Sequence, residues 1–213
     1  MFIRRRRLLG AGMSLAALAL ARGATAALAP TPPQTAGPFY PAELPLEHDA
    51  DLVQIAGHAE RAKGTVTHVF GHVLDLDGRA LHDALVEIWQ CDAFGRYHHT
   101  GRGEADTDPD FQGYGRTRAA ADGGFRFRTI RPVPYPGRTP HIHFAVTVPG
   151  ASRFTTQLYV RGEPRNAHDW ILNSVRDRAA RESLIVPFEP APEIEPGALG
   201  ARFDIVLGRN ATS

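Results

Sequence analysis

The chain has 213 residues, 43% of them apolar and 22% charged, with a formal net charge of +1. That is enough apolar chain for one core of ordinary size, and no excess of base suits it to a nucleic-acid backbone, so nucleic acid is excluded as a partner class. Cys91 is the single cysteine. An intramolecular disulfide is therefore ruled out, and a lone cysteine reads as a small buried hydrophobe.

Residues 1–29 have the layout of an export signal peptide. Arg4 to Arg7 precede a short apolar run from Leu8 to Ala21, and A-x-A patterns follow at Ala24–Ala26 and Ala27–Ala29. The run is shorter than the ~20 residues of a membrane-spanning helix, so no stable membrane span is expected. An arginine pair followed by Leu8-Leu9 resembles a twin-arginine signal. The expectation is an exported protein, periplasmic or extracellular.

Residues 30–63 open with A-P-T-P-P-Q-T-A-G-P-F-Y-P over 29–41, an extended proline-rich arm for which Phe39 and Tyr40 would be the anchor. The remaining residues, 64–213, form the body. Thr65–Leu74 alternates as a strand, Asp75–Gly78 marks a turn, and Ala84–Gln90 is the next strand. Cys91–Gly115 reads as a long loop. Thr117–Ala121 leads into a turn at Asp122–Gly124. Strands follow at Phe125–Ile130, His141–Val148 and Phe154–Val160, and Leu184–Phe188 and Arg202–Leu207 close the set. Asp169–Arg181 is the one helix candidate, with Trp170 as a core residue beside Trp89. The pattern predicts an all-β protein, a mixed β-sandwich of immunoglobulin- or prealbumin-like type with long loops and one short helix.

Two short stretches carry metal-ligand chemistry. His141 and His143 are two apart on a predicted strand, so both imidazoles face the same side and can reach one ion. Tyr135 lies just before them on a segment stiffened by Pro132, Pro134, Pro136 and Pro140, with Arg138 between the phenol and the imidazoles. Tyr97 follows Gly95, where the backbone can turn sharply. Taken alone, H-I-H also fits a chance pair on a surface strand. His98 and His99 read first as a solvated pair and otherwise as groups that orient a ligand residue, Glu87 as outward-facing or satisfied, and Tyr114 and Tyr159 as packing residues, with Tyr114 also open to lining the pocket.

The ordered set V-E-I-W-Q-C-D-A-F-G-R-Y, D-G-G-F-R-F-R-T-I-R-P-V-P-Y-P and R-T-P-H-I-H-F resembles the intradiol ring-cleavage dioxygenases, with the protocatechuate dioxygenases as the nearest branch. The resemblance covers roughly residues 30–207. It implies a non-haem ferric ion, Fe(III), held by Tyr97, Tyr135, His141 and His143, with the tyrosine at 135 and the histidine at 143 axial. It implies that Arg138 stabilises charge on the substrate ring and that Gln157, in T-T-Q-L-Y-V, stands near the iron. It further implies a catechol-type substrate cleaved by dioxygen between its hydroxylated carbons, with Tyr135 accepting a proton and a cis,cis-muconate-type diacid as product. Two phenolates would offset part of the charge of a hard cation and favour its ferric state. The chain departs from the protocatechuate branch at Gly137, which follows Pro136 where those enzymes carry an insertion with a tryptophan. The pocket thereby loses a wall and the substrate stays open.

Two other readings remain at this level. One is a β-sandwich binding module for aromatics, polysaccharide or another metal, since fold alone does not decide function. The other is a zinc or copper site using histidines only. A homo-oligomer, with the arm packed on a neighbouring subunit, is also left open.

Overall fold

The computed structural model describes residues 27–98 and 106–208. Most of the export leader and His99 lie outside the described residues. Two five-stranded sheets face each other. The first is built on β1 (Val66–Leu74), which pairs antiparallel with β4 (Gly124–Ile130) and parallel with β9 (Leu199–Arg202) and β10 (Ile205–Val206); β8 (Glu189–Pro190) extends it. The second runs in the order β3 (Tyr114–Arg118), β2 (Leu85–Trp89), β5 (His141–Thr147), β6 (Phe154–Val160), β7 (Ile185–Val186). Both sheets mix parallel and antiparallel pairs, and the expected all-β sandwich is what forms.

The core follows from alternation along the strands. Val69, Val73, Phe125 and Phe127 from the first sheet meet Ile88, Ile142, Phe144 and Leu158 from the second in one apolar cluster. Leu52 and Val53, in the irregular stretch after the arm, are fully buried in the same cluster. Cys91 is buried, and burial together with the neighbouring Asp92 pushes its thiol up to about 12, so it behaves as the expected small hydrophobe.

Three local expectations are corrected. The loop after β2 ends earlier than expected, because Tyr114–Arg118 joins the sheet as β3. Its Y-G-R-T-R sequence lacks an apolar alternation, yet backbone pairing with β2 needs none. Gly115 also allows a close approach: a Cβ there would stand 2.5 Å from the Asp49 carbonyl oxygen and from Leu52. The single helix is instead a 3-10 helix at Pro164–His168 followed by α1 (Trp170–Ser174) and α2 (Arg178–Ser183). Asp177 breaks the run because its carboxylate accepts the Ala180 amide and starts a new helix. Trp170 is not core but 68% exposed, since α1 buries Ile171 and Leu172 instead. No helix among the described residues is long and apolar enough to cross a membrane.

Candidate active site

The period of two along β5 sends Ile142, Phe144 and Val146 into the sandwich core and His141 and His143 to the opposite face. Register extends that second face sideways: Tyr114 lies opposite Trp89, Trp89 opposite His143, and His143 opposite Gln157. Trp89 stacks on His143 with ring centroids 4.8 Å apart and 7° between planes. The face is covered by loops and by the N-terminal arm, so both histidines are only 1% exposed.

Their Nε2 atoms stand 3.2 Å apart. His141 donates Nδ1–H to the Thr139 carbonyl at 2.6 Å, which leaves its Nε2 lone pair facing the site. Burial, reinforced by the Arg138 charge, holds the His141 imidazole down at about 4. His143 is lowered further by burial, then by His141 and Arg138. Both are neutral, the form that ligates metal.

The loop after β2 brings Tyr97 to the same place. It folds around Asp92, which is fully buried and accepts the amides of Phe94, Arg96 and Asp108. Burial pushes the Asp92 carboxyl up, but His98 and those amides outweigh it and hold it below the usual range. The Tyr97 ring centroid lies 5.6 Å from that of Tyr135 and 6.2 Å from that of His143. Its buried hydroxyl makes no hydrogen bond of ordinary geometry. Burial raises this phenol well above its ordinary value, with Cys91 and Tyr135 adding to the effect and Arg138 opposing it.

Tyr135 opens a tight turn in which its carbonyl accepts the Arg138 amide at 3.0 Å. Pro136 and Gly137 occupy the two central positions, and Gly137 has φ +80°, the pattern of a type II turn. The turn brings the Arg138 guanidinium back beside the Tyr135 hydroxyl, 3.5 Å away. Arg138 is gripped by Asp169 at 2.8 Å and by Gln157 Oε1 at 2.7 Å. The Tyr135 ring centroid lies 5.5 Å from that of His141. Tyr97, Tyr135, His141 and His143 thus converge with Arg138 and Gln157 alongside, the residues that the family resemblance brought together.

The dioxygenase family model matches residues 35–209. The chain belongs to the intradiol ring-cleavage dioxygenase family. It is 42% identical over 187 residues to the protocatechuate 3,4-dioxygenase beta chain of Burkholderia cepacia, covering 82% of this chain and 78% of that one. It is 31% identical to the hydroxyquinol 1,2-dioxygenase of Nocardioides simplex, covering 80% of this chain but only 62% of that protein's length. Among solved structures, the dioxygenase domain of a dioxygenase carbohydrate-binding protein fusion from Streptomyces sp. SirexAA-E is 33% identical with a TM-score of 0.66, over 84% of this chain and 99% of that one. Catechol 1,2-dioxygenase from Acinetobacter sp. ADP1 is 28% identical with a TM-score of 0.64, over 84% and 63% of the two chains.

In this intradiol dioxygenase chain, several site residues escaped the sequence reading. Asp169 is 1% exposed and accepts four hydrogen bonds, from Arg138, Thr139 and the first amides of α1. An aspartate before a helix signals a cap, but nothing local reveals that its second oxygen holds Arg138. The arm belongs to the site. Gln157 donates to the Thr35 carbonyl at 3.0 Å, and Gln34 pairs through its backbone with Thr155. Phe39 stacks on Tyr97 at 4.3 Å, and Tyr40 donates to Glu87 at 2.8 Å. Glu87 is buried and also accepts from Tyr114, so it is satisfied. His98 is not a solvated residue, since its half-buried ring lies 3.8 Å from Asp92 and packs near Phe111.

Proposed function

We propose that this protein cleaves a catechol-type ring between its two hydroxylated carbons, using a non-haem ferric ion held by Tyr97, Tyr135, His141 and His143. The observation that carries this reading is the orphaned donor set. A buried phenol without a partner faces two neutral imidazoles whose bare or near-bare Nε2 atoms converge. Buried polar groups left unpaired are costly and rare, and a cation gives these a common partner. Among the described residues no group of three or more His, Cys, Asp or Glu could hold a metal. The Tyr97 and Tyr135 rings stand beside the two imidazoles, and phenol oxygens together with imidazole suit a hard ferric ion better than a histidine-only set does. Bound there, the ion would supply Lewis acidity toward both catechol oxygens and draw electron density from the ring so that dioxygen can add to it.

The protein groups do the rest. Thr139 fixes the His141 tautomer. Tyr135, beside Arg138, is placed to take a proton from the incoming catechol. Arg138, immobilised by Asp169 and Gln157, offers a fixed positive charge to the ring as negative charge grows there, and such preorganised charge needs no reorganisation during reaction. Gln157 positions Arg138 and ties it to the arm. The arm, through Phe39 stacked on the Tyr97 ring, helps to shield that phenol from water. The carbon–carbon bond between the hydroxylated carbons breaks as one oxygen atom of dioxygen is inserted, giving a seven-membered cyclic anhydride, and the second oxygen, released at the level of water, hydrolyses it so that both atoms end in the product diacid.

The test is a visible absorption spectrum of the iron-loaded protein before and after anaerobic addition of catechol, followed by oxygen uptake. A tyrosinate-to-iron band that shifts with catechol, and a diacid product, are expected. A protein that stays colourless with ferric iron overturns the reading. Export of the folded protein by the twin-arginine route is part of the same proposal, and N-terminal sequencing of secreted protein checks it; a start at Met1 removes the cleaved leader.

A further inference from the structure

A cavity of about 590 Å³ opens beside Tyr135, a size within the range of drug-sized ligand sites and more than one small ring needs. Two chain segments line it, 134–139 and 165–169. On the first, Gly137 has open space where a side chain would stand, so the cavity continues past the turn. The second is the 3-10 helix Pro164–His168 and its capping aspartate. Residues three apart share a face of such a helix, and Arg165 and His168, both exposed, line the cavity.

That helix is firmly mounted. Asn166 donates to the Val160 carbonyl at 2.8 Å and accepts from Thr139 at 2.7 Å, while Asn173 donates to the Asn166 carbonyl at 2.9 Å. The charges of the wall do not cancel. Its one carboxylate, Asp169, is saturated by Arg138, Thr139 and α1. The Glu163 carboxylate accepts the Arg165 amide, and among the described residues no carboxylate pairs with the Arg165 guanidinium. A guanidinium presented to a cavity without a partner, next to an imidazole able to donate, is a receptor for a carboxylate.

We infer that Arg165, with His168 beside it, recognises an anionic tail on the substrate, so that the preferred catechol carries its carboxylate on a side chain rather than on the ring. This rests on the catechol-cleaving reading above. The open space at Gly137 lets the tail leave the ring, and the 3-10 helix meets its end.

The test compares kcat/KM for four probes: plain catechol, dihydroxybenzoate, dihydroxyphenylpropanoate and the methyl ester of the last. The propanoate is expected to exceed its ester by roughly tenfold or more, the worth of one charge-assisted hydrogen bond, and to exceed dihydroxybenzoate. The preference should shrink at high salt. In Arg165→Met the acid-to-ester ratio should approach one through KM, Arg165→Lys should keep part of it, and plain catechol should be unchanged. Equal use of acid and ester by the wild type, an unaltered ratio in Arg165→Met, or preference for dihydroxybenzoate each overturns the inference. If none of the catechols is turned over, the dioxygenase reading fails separately. Anaerobic calorimetry with the propanoate and its ester then decides the anion site, with Arg165-dependent preference for the acid upholding it and equal affinity overturning it.

Discussion

The two faces of β5 are equally dry and differently built. On the inner face Ile142, Phe144 and Val146 are fully buried, and Phe144 meets Phe125 and Phe203 with ring centroids 6.0 and 5.2 Å apart. On the outer face His141 and His143 are as well shielded, yet the groups around them are polar and incompletely paired. Tyr97 Oη, His143 Nδ1 and Trp89 Nε1 have no partner there. A buried polar group without a partner costs about 1–3 kcal/mol. The comparison teaches that burial alone does not mark a core. One face of the strand supplies stability, and the other holds donors ready for something the protein binds.

Substitutions can break this division. The largest stability effect is expected from Phe144→Ala on the inner face, a loss of about 3–5 kcal/mol in denaturant unfolding, with the iron-loaded spectrum of the remaining folded protein unchanged. Arg138→Met on the outer face should lower kcat roughly a hundredfold to a thousandfold while the visible band persists; an unchanged kcat would remove Arg138 from the reaction. Tyr97→Phe deletes a hydroxyl that has no partner, so the metal-free protein should hold its stability within about 1 kcal/mol. The same variant should lose most of the visible band and of the turnover. A marked loss of metal-free stability would show that Tyr97 belongs with the structural face.

The smallest effect concerns a third region, behind the first sheet. There Glu195 joins Arg128 at 2.7 Å and His68 at 2.9 Å. Arg128 first, and His68 after it, hold the Glu195 carboxyl at about 2 against a modest opposing effect of burial. In the unfolded chain this carboxyl binds its proton at higher pH than in the folded one. Its stabilisation is therefore complete above the ordinary carboxylate range and is lost as pH falls toward about 2. Glu195→Gln should flatten the acid limb of a stability-against-pH curve in that window and leave catechol turnover unchanged.

The paired histidines were legible from a short local pattern, whereas Tyr97 and Tyr135 joined them only through the resemblance to the family. His141 and His143 share a face by the period of two alone, while the Tyr135–Arg138 turn, which the prolines announced only as a stiff segment, emerged with the structure. The groups that set those residues in place were not legible. Asp169 reaches Arg138 across 31 residues, and Gln157 reaches Thr35 across 122. Apolar character misled at Trp170, where the helix turned the other way.

The sequence by itself determined the alternating strands, the sandwich they close into and the shared face of His141 and His143, because periodicity and turn chemistry act over a few residues. The tertiary structure alone decided that the proline arm covers the site, that Arg138 is immobilised between Asp169 and Gln157, and that Arg165 faces the same cavity. Those relations depend on segments distant in the chain being packed together, and neither propensity nor spacing carries that information.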